Sequence, residues 1–233
     1  MSATVDRGRP HVLSARILSV NVVHAVVPDT LGDLDLTAID KRPVDGRVQV
    51  SAPGPAGVGL AGDEVRDTNN HGGPDKAVYA YAREDLDWWA GELGREISAG
   101  FFGENLTTAS LDVTGAVIGE RWRVGEDGLV LEVTYPRIPC RTFQGWMGEA
   151  RWVKRFFAHG VSGAYLRVRG EGTVGADDAV EVAHRPSHGV TIGEVFDLTT
   201  ADSGRLQLLL DEQDDVGEAL SSAVRRILRA RTR

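Results

Sequence analysis

The chain has 233 residues, 42% of them hydrophobic and 26% charged, an ordinary balance that excludes wholesale disorder. Thirty-four acidic residues against 26 Lys and Arg give a formal net charge of −8, which argues against general binding to a phosphate backbone or an anionic membrane. The single cysteine, Cys140, excludes an internal disulfide and a cysteine-rich zinc site, leaving a buried bystander or an employed thiol.

Residues 1–12 read as a loose polar leader without an apolar h-region, and no window approaches about 18 uninterrupted apolar residues. A cytoplasmic location is therefore expected, in keeping with the absence of paired cysteines. Residues 15–27 (ARILSVNVVHAVV) predict a strand ending at Pro28. His24 within it reads as a satisfied core residue. The charged cluster Asp40-Lys41-Arg42 follows, then a short strand at 48–50 and a turn-rich stretch at 53–63. Gly57, Gly59 and Gly62 match G-x-G-x-x-G spacing, but no long helix opens after them, so dinucleotide binding is not expected.

Residues 77–82 predict a strand and 84–93 a helix, with Leu86, Trp89 and Leu93 on one face. Short strands follow at 113–117, 121–124 and 129–135, the last two joined by a turn at Glu126-Asp127-Gly128. A helical patch at 149–158 precedes strands at 164–169 and 179–183. Short, closely spaced strands and 28 glycines point to a β-rich barrel or sandwich. From 187 to 233 the text turns helical, with stretches at 191–198, 204–211 and 216–231. Three short helices bury little alone, so this unit must pack against the rest.

Three segments could carry chemistry. Asn69-Asn70-His71-Gly72-Gly73-Pro74-Asp75-Lys76 is a tight loop whose backbone N–H groups could meet an anion, or a surface turn that happens to hold a histidine. Phe101-Phe102-Gly103-Glu104-Asn105 reads as an ordered loop. Its Asn suits a heterocycle edge, while a phenylalanine could simply plug the core. In Pro136-Arg137-Ile138-Pro139-Cys140-Arg141, two prolines stiffen the approach to the thiol and two arginines flank it. Nearby positive charge favours thiolate, the form that attacks or ligates metal. A buried structural cysteine is the competing reading.

Taken in order, Gly59-Leu60-Ala61-Gly62-Asp63, His71-Gly72-Gly73-Pro74-Asp75-Lys76, Trp88-Trp89, Phe102-Gly103-Glu104-Asn105-Leu106-Thr107-Thr108, Gly119, Pro136-Arg137-Ile138-Pro139-Cys140 and Ser162-Gly163 resemble a molybdenum cofactor sulfurase C-terminal (MOSC) domain. The likeness runs from about Leu13 to the end and is greatest to the stand-alone YiiM-type subgroup, which carries a C-terminal three-helix unit.

The resemblance implies an α+β, β-rich fold: a MOSC-type mixed β-barrel over 13–186, then a helical unit over 187–233. It also implies a pterin-type molybdenum cofactor and reduction of N-hydroxylated compounds of the hydroxylaminopurine or amidoxime type. Cys140 would be the metal ligand, with His71 and Asn105 beside the pterin or metal. Arg137, Lys76 and the Gly72-Gly73 backbone would face the cofactor, and Lys41 and Arg42 its terminal phosphate. A soft thiolate suits a centre whose other ligands are sulfur. One cysteine excludes a four-cysteine cluster, so electrons would come from a separate donor protein. The helical tail is a candidate docking surface or homodimer contact. The competing functions are a sulfur carrier holding a Cys140 persulfide and a non-catalytic cofactor store.

Overall fold

The computed structural model describes residues 14–54, 57–211 and 216–232. The expected leader at 1–12 lies outside them.

Among the described residues, ten strands and seven α-helices form, in the order β1 (Arg16–Pro28), β2 (Leu36–Pro43), β3 (Val48–Val50), α1 (Thr68–His71), β4 (Val78–Ala82), α2 (Arg83–Leu93), β5 (Leu106–Ala109), β6 (Arg121–Val124), β7 (Leu129–Pro136), α3 (Arg141–Met147), α4 (Trp152–His159), β8 (Ala164–Gly170), β9 (Gly172–Val174), β10 (Val180–His184), α5 (Ile192–Phe196), α6 (Ser203–Asp211) and α7 (Glu218–Arg231). Eight strands make one sheet in the order β10-β6-β7-β8-β4-β5-β1-β2, and β3 pairs with β9. The β4–β5 pair is parallel and the other pairs are antiparallel, so the sheet is mixed. Strand by strand it stays open, with β10 and β2 at its edges, rather than closing into the expected barrel. The start of β1 nevertheless meets the approach to β10, through the antiparallel bridge Arg16 to Ala179 and bonds from the Ile17 N–H to the Asp178 carbonyl and from the Val180 N–H to the Ala15 carbonyl.

Two apolar masses hold the sheet. One is aliphatic and includes Ile17, Val78, Leu106, Leu131 and Leu166. Val195, Leu206, Leu209, Leu220 and Val224 of the three C-terminal helices join it, which is how that unit finds the burial it cannot supply alone. The other is aromatic and comprises Trp89, Phe102, Phe143, Trp152 and Phe156 among others. It fixes both chemistry-bearing loops, since Phe102 precedes Asn105 by three residues and Phe143 follows Cys140 by three. Both phenylalanine rings are fully buried and meet edge to face at 5.1 Å.

Several expectations change. Residues 113–117 form no strand: the Gly115 N–H donates to Asp112 Oδ1 at 2.8 Å, turning the chain, and only Val117 makes a bridge. β2 was hidden by its charges, which are paired: Arg42 with Asp40, Lys41 with Asp63. His24 is exposed rather than in the core, because bulges at 23–25 and 25–27 shift the β1–β2 register around it. The hairpin at 125–128 forms as expected between β6 and β7.

Two glycines are fixed by close approach. A Cβ on Gly100 (φ +83°) would sit 2.5 Å from the Lys41 carbonyl oxygen, and one on Gly163 (φ +64°) 2.5 Å from that of Ala80. These contacts clamp the loops before β5 and β8 onto β2 and β4, whose ends face one cavity.

Candidate active site

That cavity measures about 660 Å³ counting its open mouth, and its walls include Lys41, Asp63, His71, Lys76, Tyr79, Asn105, Arg137, Cys140, Thr142 and Tyr165. Six residues singled out in the sequence therefore meet in one place: Cys140, His71, Asn105, Lys41, Lys76 and Arg137.

Cys140 stands where β7 has ended and α3 begins. Its backbone is extended (φ −124°, ψ 177°), and its carbonyl accepts from the Gln144 N–H. The side chain is half-buried, with one side against the aromatic cluster and the other on the cavity. Arg141 points to solvent. The flanking charge that matters is therefore Arg137, which is 6% exposed.

The Arg137 guanidinium lies 5.1 Å from the Tyr79 ring and 5.0 Å from that of Phe143. Nη1 makes a long bond to the Phe102 carbonyl at 3.4 Å, and Nε has no acceptor. No ion pair to it forms among the described residues. The buried Glu104 is committed elsewhere, accepting from the Gly100 and Phe102 N–H groups and from the Thr107 hydroxyl. Burial pushes the Glu104 carboxyl upward. Burial works against its charge, but the Tyr165, Tyr79, Cys140 and Glu104 groups around it outweigh this and hold its pKa above the usual arginine value.

Lys41 shows the opposite arrangement. Lys41 is buried and lines the cavity, whereas Arg42 lies against Asp40 with over half its side chain in solvent. Lys41 pairs with the buried Asp63, which also accepts from the Val23 N–H at 3.0 Å and Asn105 Nδ2 at 2.8 Å. Burial lowers the Lys41 pKa and Asp63 opposes this.

Asn105 is saturated: Oδ1 accepts from the Tyr79 N–H, and Nδ2 serves Asp63 and the Asn21 carbonyl. It braces β1, β4 and the Lys41–Asp63 pair. Gly72 and Gly73 lie outside the cavity lining, and their N–H groups serve the Thr68 and Gly57 carbonyls. Lys76 donates to the Asn70 carbonyl and lies 5.2 Å from the Tyr135 ring.

His71 Nδ1 lies 2.9 Å from the Tyr165 hydroxyl, and Nε2 lies 3.8 Å from Asp67. Burial first, then the Arg137 charge, brings its pKa down to about 3. The unfolded imidazole takes a proton near 6.5, so between these values the unfolded state binds more protons. The contribution of His71 to stability is thus present above that range and is lost as pH falls through it. In His71→Gln, the loss of urea-unfolding free energy from pH 7 to pH 5 should shrink by about 2 kcal/mol. An undiminished loss would show that the ring titrates normally.

Tyr165 and Asp63 were not assigned roles from sequence. The β4–β8 register sets Tyr165 opposite Tyr79, which is invisible without strand pairing. Asp63 followed a recognised glycine pattern, but nothing local named Lys41 as its partner.

The MOSC domain model matches residues 67–181, from the His71 loop to the start of β10. Protein YiiM of Escherichia coli (strain K12) is 30% identical over 80% of this chain and 78% of its own length. A protein named "Reductase" from Gibberella moniliformis is 32% identical over 67% of this chain, but over only 27% of its own length. The crystal structure of YiiM from Geobacillus stearothermophilus superposes with a TM-score of 0.70 at 22% identity, covering 92% of this chain and 99% of that one, and so shares the fold. The fold, the order of the site segments and these matches together make the chain a member of the MOSC domain family, of the YiiM type.

Proposed function

We propose that this protein is a molybdenum-cofactor-dependent reductase of N-hydroxylated compounds. The observation that carries the reading is a soft sulfur ligand, Cys140, beside a buried cation without a counter-charge, Arg137, in one cavity. That pair suits an anionic, sulfur-rich metal centre and has no evident use in a plain apolar pocket. The relative named as a reductase supports a redox role.

Cys140 would ligate the metal, and Arg137 would balance the negative charge of thiolate and cofactor. Lys41 reaches the cavity already paired and Arg42 points away, so Arg137 and Lys76 are the better cations for anionic parts of the cofactor. The neutral His71 and Tyr165 would hold the ligand by hydrogen bonds at the wall. The cofactor supplies two-electron chemistry when bound. The balanced reaction is R–NH–OH with two electrons and two protons giving R–NH2 and water: the N–O bond breaks and oxygen leaves as water. A separate donor protein would deliver the electrons.

Metal analysis of protein purified from a molybdate-replete host tests this. About one molybdenum per chain is expected, with reduction of an amidoxime by reduced methyl viologen, and both should vanish in Cys140→Ala. A persulfide on Cys140 without molybdenum would establish a sulfur carrier instead. Full metal occupancy with no turnover of any N-hydroxylated compound would establish a store.

A further inference from the structure

One helix face gathers positive charge on a chain whose formal net charge is −8. Ser222, Arg225, Arg226, Arg229 and Ala230 line an open groove along α7, at the three- and four-residue spacing of a single face. The opposite face, with Leu220, Ala223 and Val224, is buried. Arg225 is half-buried and already engaged, whereas Arg226 and Arg229 are exposed and enter no ion pair among the described residues. Like charges at this spacing disfavour a helix. The macrodipole accounts for the cations of the last turn, Arg229 and Arg231, but not for Arg226. A plain solvated face would intersperse both signs.

The face is held in place, one step from the cavity wall. Arg231 ties the end of α7 to residues 198–203: Nη1 donates to the Ala201 carbonyl at 2.7 Å and to Ser203 Oγ at 2.6 Å, and Nη2 to the Leu198 and Thr199 carbonyls at 3.1 and 2.8 Å. Before the helix starts, Gly217 packs so closely on Asp75 and Arg167 that a Cβ there would collide with both. Asp75 precedes Lys76, which lines the cavity. Lys76 Nζ lies 5.2 Å from the Tyr135 ring and 6.0 Å from that of Tyr165, another wall residue. Burial raises the Tyr135 pKa and the Arg226 charge opposes it, so Arg226 stands near that tyrosine. Cavity wall, Tyr135 and Arg226 are thus successive neighbours.

We infer that the Arg226–Arg229 face of α7 is the docking surface for an acidic one-electron carrier protein that supplies the reductase. This rests on the reductase reading above, which needs two electrons per N–O bond and a separate donor. Each docking oxidises one reduced carrier by one electron, so two carriers serve one turnover and the two protons come from water. Charge complementarity selects the partner: an acidic carrier is attracted to this face and repelled by the acidic remainder, which steers it to the cavity's flank. A nucleic-acid duplex is longer than the face and would meet that remainder.

The test uses the molybdenum-loaded protein, an amidoxime and two donors. An acidic plant-type ferredoxin, kept reduced by NADPH and its reductase, must dock, whereas reduced methyl viologen is a small cation that need not. Arg226→Glu/Arg229→Glu should lower kcat/KM for the ferredoxin about 10-fold and leave turnover with methyl viologen within about twofold. Binding of dye-labelled oxidised ferredoxin, read by fluorescence anisotropy, should weaken about 10-fold in that variant, and in the parent as salt rises from about 20 to 200 mM. Arg226→Lys/Arg229→Lys should bind like the parent. No ferredoxin binding at low salt, unchanged affinity in the charge-reversed variant, or equal loss with both donors would overturn the docking surface. So would a DNA duplex that the parent binds more tightly than ferredoxin, or a parent dimer that the charge reversal dissociates. If the loaded protein reduces nothing with methyl viologen, the reductase reading fails, and the anisotropy still decides the face.

Discussion

On the proposed reading, Arg137→Met should abolish retention of a molybdenum cofactor while leaving the empty fold as stable as before, or more so. The guanidinium is buried against two aromatic rings, with one long hydrogen bond, an orphaned Nε and no ion pair among the described residues. Methionine fills similar space without a charge to desolvate, and replacing buried charge by apolar volume is often neutral or stabilising. The bound state loses its charge balance. Truncating one partner of a buried charge pair costs about 2–5 kcal/mol, a drop in cofactor retention on the order of 100-fold. Metal content after gel filtration reads the first effect and thermal unfolding of cofactor-free protein the second. A cofactor-free Tm that falls by several degrees, with metal content unchanged, would make Arg137 a structural residue and remove the main support for an anionic ligand. Arg137→Lys should also lose metal, because lysine keeps the charge but not the planar face that lies against both rings.

The sequence was most informative where a local pattern and its structural consequence share a stretch of chain. β1, β6, β7 and β8 follow from β-branched runs bounded by glycine or proline, and α2 from the Leu86–Trp89–Leu93 spacing. The Cys140 segment could be singled out because its prolines, arginines and thiol are contiguous. What could not be read is whatever depends on a distant partner. β2 looks like a loop until Asp63 arrives from 22 residues away to neutralise Lys41. Arg42 looked equivalent to Lys41, and only the folded chain separates them, burying Lys41 against Asp63 and leaving Arg42 mostly in solvent. Asn105 looked like a ligand contact, and the structure commits all its amide bonds to β1, β4 and Asp63. Site composition was thus legible, whereas the division between groups that face the cavity and groups that brace it was not. That division follows from which polar atoms are already satisfied.

The brace itself yields the largest stability effect. Asp63→Asn should cost about 3–5 kcal/mol in urea unfolding, because it leaves the Lys41 ammonium buried without its counter-charge. Asp63 has 1% of its side chain exposed and Lys41 7%, so solvent cannot take over. The amide remains isosteric, but only one of its two termini can still accept from the Val23 N–H and Asn105 that now share the carboxylate. Burial already lowers the Lys41 pKa, and Asp63 holds it up. With that opposition gone, folded Lys41 falls further below 10.5, and the unfolded chain binds the extra proton across the interval. Stability of Asp63→Asn should therefore rise as pH increases from 7 toward 10, more steeply than that of the parent protein. Lys41→Met added to Asp63→Asn removes the stranded charge and should restore stability to within about 1–2 kcal/mol of the parent, so the two substitutions are strongly non-additive. A loss below about 1 kcal/mol for Asp63→Asn, or a double variant no better than the single one, would mean that the pair is hydrated in solution and that Lys41 is free to meet a ligand after all.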